Sequence, residues 1–224
     1  MSDEITLPMM REKLYSAVVS DALDGLGFRK QSPAVQLRTF TVDGLLVGRA
    51  KTTLWEEIDF DDPKPYELEL RAVDGCQPDD VFVAAAQGST RSGIWGELLS
   101  TAAGNQGCVG AIVDGAVRDV AKMQAMNFPV FARSTCVYDS LHRQRVITID
   151  GPVNIGGVTI RAGDLLFADV DGIVVVPQEI EKEAIAAAWK KVHDENITRD
   201  AIMNGMKASE AYKKYSRQAG ASAS

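Results

Sequence analysis

Residues 81–132 read VFVAAAQGSTRSGIWGELLSTAAGNQGCVGAIVDGAVRDVAKMQAMNFPVFA. Val81 to Ala86 and Cys108 to Val113 are short runs with no polar face, Gly96 to Gln106 and Asp119 to Met126 are helix-like, and Val130 to Ala132 is strand-like again. A strand that is apolar on both faces must be covered on both, and one-helix connections between such strands give buried parallel or mixed pairs with crossovers. This stretch therefore sets the class as α/β around a mixed sheet.

Toward the N-terminus, Val35 to Leu54 turns to alternating and β-branched text split at Asp43-Gly44, which predicts two strands. Before it, Pro8 and the spacing of Met10, Leu14, Val18 and Ala22, with stops at Gly25 and Gly27, predict one amphipathic N-terminal helix of about four turns. The acidic stretch Glu56 to Asp62, followed by Pro63 and Pro65, reads as an exposed connection with strand-like text soon after it. Toward the C-terminus, Val146 to Ile149, Val158 to Ile160 and Leu165 to Val176 add strands, and Glu179 to about Arg217 is helical, charged and interrupted near Asn204-Gly205. With no Pro/Ser-rich linker between them, an α/β body over residues 1–178 and a helical extension over 179–224 form one domain.

The chain has 224 residues, 46% of them apolar, and 24 Lys and Arg against 31 Asp and Glu give a net charge of −7. That length supports a sizeable core, and an acidic surface with no Lys/Arg run longer than two argues against nucleic acid as a ligand. Cys76, Cys108 and Cys136 are odd in number and lack CxxC spacing, so three buried or half-buried thiols in a reducing cytoplasm are expected rather than a disulfide framework or a zinc site. The opening MSDEITLPMMREKLY lacks the basic then apolar order of a signal peptide, and no stretch approaches the apolar length of a membrane span; a soluble, cytoplasmic protein follows as the expectation.

Asp-Gly recurs at 24, 43, 74, 114, 150 and 171, most often as a turn that ends an apolar run. The pair at 114 carries more: Asp114-Gly115-Ala116-Val117-Arg118-Asp119 follows one buried run and would bring a guanidinium and two carboxylates to the carboxyl end of a strand, where open α/β sheets bind ligands. Gly93-Ile94-Trp95-Gly96-Glu97-Leu98-Leu99 occupies the equivalent place after the preceding run. Gly93 and Gly96 would let backbone approach a ligand, and the amides of Glu97, Leu98 and Leu99 would head a helix as a cradle for a small anion. Twenty residues lie between Glu97 and Arg118, room for one helix and one strand, so the two stretches can be neighbours. The bland reading is that Asp119 caps a helix and Arg118 is solvated.

GELLSTAA, GCVGAIVDGAVRDV, FPVFARST and LLFADVDGIVVVP, spread between about Trp95 and Pro177, resemble the family of the regulator of ribonuclease activity A, which includes the class II, divalent-metal-dependent pyruvate aldolases such as 4-hydroxy-4-methyl-2-oxoglutarate aldolase. The resemblance implies a β/β/α layered core assembled as homotrimers or dimers of trimers, with a neighbouring subunit completing each site. It implies that Asp119 holds the metal, Mg²⁺ or Mn²⁺, that Arg118 contacts the keto or enolate oxygen of a pyruvyl unit, and that the Leu98 and Leu99 amides, behind Gly96, hold its carboxylate. The acid at Glu97 would reach the metal through water; the family more often has Asp there. The implied function is a lyase acting on a small 2-oxo acid, as an aldolase or an oxaloacetate decarboxylase. The alternative is a protein-binding regulator of a ribonuclease, against which the joint presence of Glu97, Arg118 and Asp119 weighs. A methyltransferase label sometimes attached to the family finds no glycine-rich nucleoside loop after an early strand.

Elementary chemistry agrees with these roles. An enolate left by carbon–carbon cleavage needs positive charge beside it, and Mg²⁺ is content with one or two carboxylates and several waters. With only His142 and His193, a His-rich zinc site is excluded. His142 sits in the polar stretch Tyr138 to Arg145, read as an exposed connection rather than a substrate contact, and Trp55, Trp95 and Trp189 as core or interface residues.

Overall fold

The computed structural model describes residues 5–41 and 44–220. Asp43, half of one expected turn, and Met1 to Glu4 of the N-terminal reading lie outside them. The elements are α1 (Leu7–Lys13), α2 (Ser16–Gly25), β1 (Arg38–Thr39), β2 (Leu46–Glu57), α3 (Glu67–Asp74), β3 (Asp80–Ala85), β4 (Gly93–Trp95), α4 (Glu97–Asn105), β5 (Gly110–Val117) and α5 (Val120–Ala125). There follow β6 (Val130–Thr135), β7 (Gln144–Ile149), β8 (Val153–Ile155), β9 (Val158–Ile160), β10 (Leu165–Asp169), β11 (Gly172–Val176), α6 (Glu181–Met203) and α7 (Ala208–Gly220).

Nine strands form one mixed sheet in the order β1-β6-β5-β3-β2-β10-β11, with β4 beside β5 and β7 beside β2. The centre, β2-β3-β5-β6, is parallel, and β4 also runs parallel to β5. All eight residues of β5 are buried, as a strand covered on both faces requires. One face packs on α3, α4 and α5 through Phe82, Trp95, Val113 and Met123; the other packs Val81, Val83 and Ile112 against Ile155 and Ile160 of the separate β8-β9 hairpin. Hairpin, sheet and helices thus make the expected β/β/α layers. A third cluster, Val19, Leu23, Phe167, Ala184 and Ala188, fastens α2 and α6 to the β10-β11 end.

Four expectations change. The single N-terminal helix is two, because Leu14 and Tyr15 are extended and Asp169 at the end of β10 accepts from both the Ser16 amide (2.8 Å) and its hydroxyl (2.5 Å), starting α2 afresh. The apolar spacing runs through the break and cannot register a cap supplied from a distant strand. Glu56 to Asp62 is exposed at Asp59 to Asp61, but Ile58 and Asp62 are buried, and the segment after it is the helix α3 rather than a strand. Its Glu-Leu-Glu-Leu alternation mimics a strand, whereas the buried set is Glu69, Ala72 and Val73, a helical spacing that includes an acid. The short β8 was not expected as a strand. The strand expected over Cys108 to Val113 runs on through Asp114-Gly115 to Val117, with a bulge against β6 between Val113 and Ala116.

Candidate active site

Strand β4 lies parallel to the last residues of β5, with Gly93 opposite Ala116 and Trp95 opposite Val117. The Arg118 amide donates to the Trp95 carbonyl at 2.9 Å, so both chains leave the sheet side by side at their carboxyl ends. Their continuations, Gly96 to Leu99 and Arg118-Asp119, meet at a cavity of about 280 Å³. Gly96, Leu98, Leu99, Arg118 and Asp119 all line it, as do Tyr66, Glu69, Asp139 and Ser140.

The two glycines also make room for the neighbouring chain. A Cβ on Gly93 would stand 2.9 Å from Arg118 Cβ and 2.5 Å from the Cys136 carbonyl, and one on Gly96 would stand 2.8 Å from Asp119 Oδ2 and 3.2 Å from Arg118 Cγ. They form the floor on which Arg118 and Asp119 lie, and both glycines also line the cavity.

Asp119 precedes α5 in left-handed backbone, φ 56° and ψ 31°, a conformation an L-residue adopts at a cost of roughly 1 kcal/mol. Its side chain makes no capping bond to α5, which removes the ordinary explanation for an acid at this place. Instead Oδ2 turns back toward the Glu97 amide, 3.4 Å away, at the start of α4. The Glu97 carboxylate points elsewhere, accepting from Thr101 Oγ1 (3.2 Å) and lying 3.9 Å from Lys122 Nζ. At the head of α4, the amides of Leu98 and Leu99 precede the first bond of the helix ladder, Ser100 to the Gly96 carbonyl (3.0 Å).

One exposed-edge carboxylate without imidazole or thiolate neighbours suits a hard cation that keeps most of its waters. It does not suit zinc. No group of three or more His, Cys, Asp or Glu side chains able to enclose a metal occurs among the described residues. Asp114, counted from sequence with this site, is removed from it: it is buried and pairs with Arg133 across the bulge.

Four polar lining residues, Tyr66, Glu69, Asp139 and Ser140, lay beyond the sequence reading of the site. Asp139 Oδ2 is 2.6 Å from Arg118 Nη2, while Asp139 Oδ1 accepts from the Tyr66 hydroxyl (2.7 Å) and the Leu141 amide (2.8 Å). Burial works to raise the Asp139 carboxyl, but the Leu141 amide, the Tyr66 hydroxyl and the Arg118 guanidinium outweigh it and hold the group below the usual carboxylate range. Burial first, and then the bond to Asp139, push Tyr66 up to about 12. Glu69, only 7% exposed, is pushed up to about 8 by burial and then by the Asp139 charge. Asp139 and Ser140 sit in the stretch read as a plain connection, and Tyr66 and Glu69 sit where the helix α3 went unread; no residue-level signal marks either segment.

His142 is not among the cavity residues; its Nδ1 accepts from the Asp62 amide at 3.3 Å, which agrees with its reading as part of a connection. Trp55 and Trp95 are buried, and Trp189 packs partly buried against the α2–α6 cluster. The cysteines are free thiols, two buried and one half-buried. Among the described residues no helix is long and apolar enough to cross a membrane.

A family model described as "RraA-like: Aldolase/RraA" matches residues 16–175. A protein of Halalkalibacterium halodurans named "Putative 4-hydroxy-4-methyl-2-oxoglutarate aldolase" is 33% identical over 194 residues, covering 87% of each chain. Among solved structures, Streptomyces coelicolor RraAS2, described as an unusual member of the RNase ES inhibitor RraA protein family, is 29% identical, with a TM-score of 0.73 over 83% of this chain and 91% of that one. An uncharacterized protein from Pseudomonas syringae is 28% identical, with a TM-score of 0.77 over 89% and 93%.

Proposed function

Since this chain belongs to the RraA-like family, Aldolase/RraA, we propose that it is a divalent-metal-dependent carbon–carbon lyase acting on small 2-oxo acids, as a 4-hydroxy-2-oxo acid aldolase, an oxaloacetate decarboxylase or both. The observation that carries the reading is Asp119: a carboxylate in left-handed backbone that makes no capping bond to its own helix, keeps Oδ2 3.4 Å from the Glu97 amide, and lies beside a guanidinium at the carboxyl end of a buried strand.

In this reading the substrate carboxylate rests on the Leu98 and Leu99 amides behind Gly96, where unpaired N–H groups and the helix dipole favour an anion. Arg118 faces the 2-oxo oxygen. When the bond beyond C3 breaks, its electron pair moves into the pyruvyl unit and negative charge gathers on that oxygen, so the guanidinium is worth most in the transition state. Asp119 would hold Mg²⁺ or Mn²⁺, and Glu97 would be its outer partner after turning its carboxylate from Thr101 and Lys122. A bound divalent cation supplies a second positive charge for the enolate oxygen. With a 4-hydroxy-2-oxo acid, water takes the 4-hydroxyl proton as that carbon leaves as a carbonyl, and with oxaloacetate the leaving fragment is CO2; in both cases the proton that completes pyruvate at C3 comes from water. We also read the assembly as a homotrimer or dimer of trimers.

Pyruvate release from oxaloacetate and from 4-hydroxy-4-methyl-2-oxoglutarate, assayed with Mg²⁺ or Mn²⁺, tests this directly; excess EDTA should abolish it. Asp119→Asn should weaken Mn²⁺ binding, read by calorimetry, by at least about tenfold while the fold survives. Full turnover in EDTA with metal content checked as nil would overturn the reading. A ribonuclease regulator is the second reading, favoured by the likeness to Streptomyces coelicolor RraAS2. It predicts no turnover of any 2-oxo acid and stable binding to a ribonuclease.

A further inference from the structure

Asp139 receives three contacts from three separate parts of the chain. Its Oδ1 takes the Tyr66 hydroxyl, from the residue that opens α3, and the Leu141 amide; its Oδ2 takes Arg118 Nη2. The loop carrying it is itself tied to the strand ends, because the Gly93 amide donates to the Tyr138 carbonyl (2.8 Å) and the Cys136 amide to the Val117 carbonyl (3.0 Å). The Arg118 stem lies over the Gly93–Gly96 floor, and its Nε is 3.9 Å from Asp119 Oδ2. The guanidinium is therefore held at its far end by Asp139 and stands near Asp119 at the other, with the cavity in front of it.

A long arginine side chain left to itself samples many rotamers and loses that freedom when it is ordered. Here that ordering precedes any ligand. With both of its oxygens engaged, the Asp139 carboxylate is hindered from rotating, and its ion pair with Nη2 restricts where the guanidinium can swing. Asp139 also shares the Arg118 charge, and an incoming anion must compete with it for that charge.

We propose that Asp139, itself oriented by Tyr66, is the positioning residue that fixes Arg118 for the reaction. This rests on the lyase reading above, and it makes a distinctive demand on kinetics. Removing the Asp139 charge should let Arg118 attract an anionic substrate more strongly while losing its aim, so KM and kcat should both fall. Loss of a merely structural residue lowers kcat and raises KM.

The test uses the full chain with Mg²⁺ and oxaloacetate. In Asp139→Asn, kcat should fall by about tenfold and KM by about two- to threefold; in Tyr66→Phe, which keeps the charge, kcat should fall about threefold with KM unchanged. Asp139→Glu should recover KM and part of kcat. A thermal melt identifies any variant that fails to fold, and Tyr66→Phe stands in for Asp139→Asn if that one does. The NMR signal of the Arg118 Nε–H group, assigned through its loss in Arg118→Lys, reads the clamp without turnover and should become mobile in both variants. A wild type that releases pyruvate, with folded variants that keep kcat within twofold or leave the Arg118 signal rigid, overturns the positioning role and leaves the lyase reading standing. A wild type without pyruvate release overturns the lyase reading and with it the kinetic role; a mobile Arg118 signal in Asp139→Asn would then show that the clamp survives as a structural fact alone.

Discussion

The cavity has two walls of different origin. One is made at strand ends: Gly93 to Gly96 with Leu98 and Leu99 from β4 and the head of α4, and Arg118-Asp119 just after β5, set by the parallel pairing of β4 with the buried β5. The other comes from the periphery, with Tyr66 and Glu69 at the start of α3 and Asp139-Ser140 in the loop before β7. The first carries the groups that would meet a substrate; the second holds the first in place, through Asp139 on Arg118. On the proposed reading, chemistry would sit on the buried strand ends and its alignment would be set from the periphery, an arrangement in which changes at the second wall tune a site without replacing its reactive groups.

If that division is correct, the strand-end wall gives the largest losses. Arg118→Ala should lower kcat by about 10²–10³, roughly 3–4 kcal/mol of transition-state stabilisation, with smaller changes in KM and metal affinity. Arg118→Lys keeps the charge, loses the planar fork and the reach to Asp139, and should recover only part. Steady-state kinetics beside a thermal melt decide the matter, and near wild-type kcat in a folded Arg118→Ala would erase the difference between the walls.

Gly96→Ala sharpens the comparison without touching a polar group. Its Cβ would lie 2.8 Å from Asp119 Oδ2, and carbon cannot stay there, so the carboxylate must move by several tenths of an ångström. Metal affinity and kcat should each fall by about tenfold, less than for Arg118→Ala, since the charged groups remain. Calorimetric titration with Mn²⁺ reads the first directly; unchanged affinity would mean that Asp119 works from some other position.

The same division explains what could be read in advance. Runs such as Val81 to Ala86 and Cys108 to Val113 mark buried strands because burial on both faces demands continuous apolar text, and the strand ends then locate Arg118 and Asp119. Asp114 misled because Asp-Gly ordinarily turns the chain, whereas here a buried partner, Arg133, holds it within a bulged strand. The peripheral wall left no trace, since it depends on tertiary contact: an acid such as Glu69 reads as solvent-facing, and a polar loop such as Tyr138 to Arg145 reads as a connection, until the fold brings α3 and that loop over β4. The break at Leu14-Tyr15 failed for the same reason, as its cause, Asp169, lies on a distant strand.

The smallest effect on activity belongs to Glu69, and it separates stability from chemistry on the second wall. Burial and the Asp139 charge raise Glu69 to about 8 from the ordinary 4.5, so the folded protein favours the neutral acid. A raised carboxyl contributes stability that is complete below its unfolded value and is lost as pH climbs through its folded one, here between about pH 4.5 and pH 8. The gap sets an upper limit of roughly 5 kcal/mol on that loss. Glu69→Gln matches the neutral acid in shape and never ionises. Its melting temperature should therefore equal that of the wild type near pH 5 and exceed it by several degrees near pH 9, while kcat at pH 7 changes by less than about threefold. Melts of both proteins across this range provide the check. Parallel curves would mean that Glu69 is already ionised in the folded state, and the wall holding Asp139 would then carry one more negative charge than its burial and contacts support.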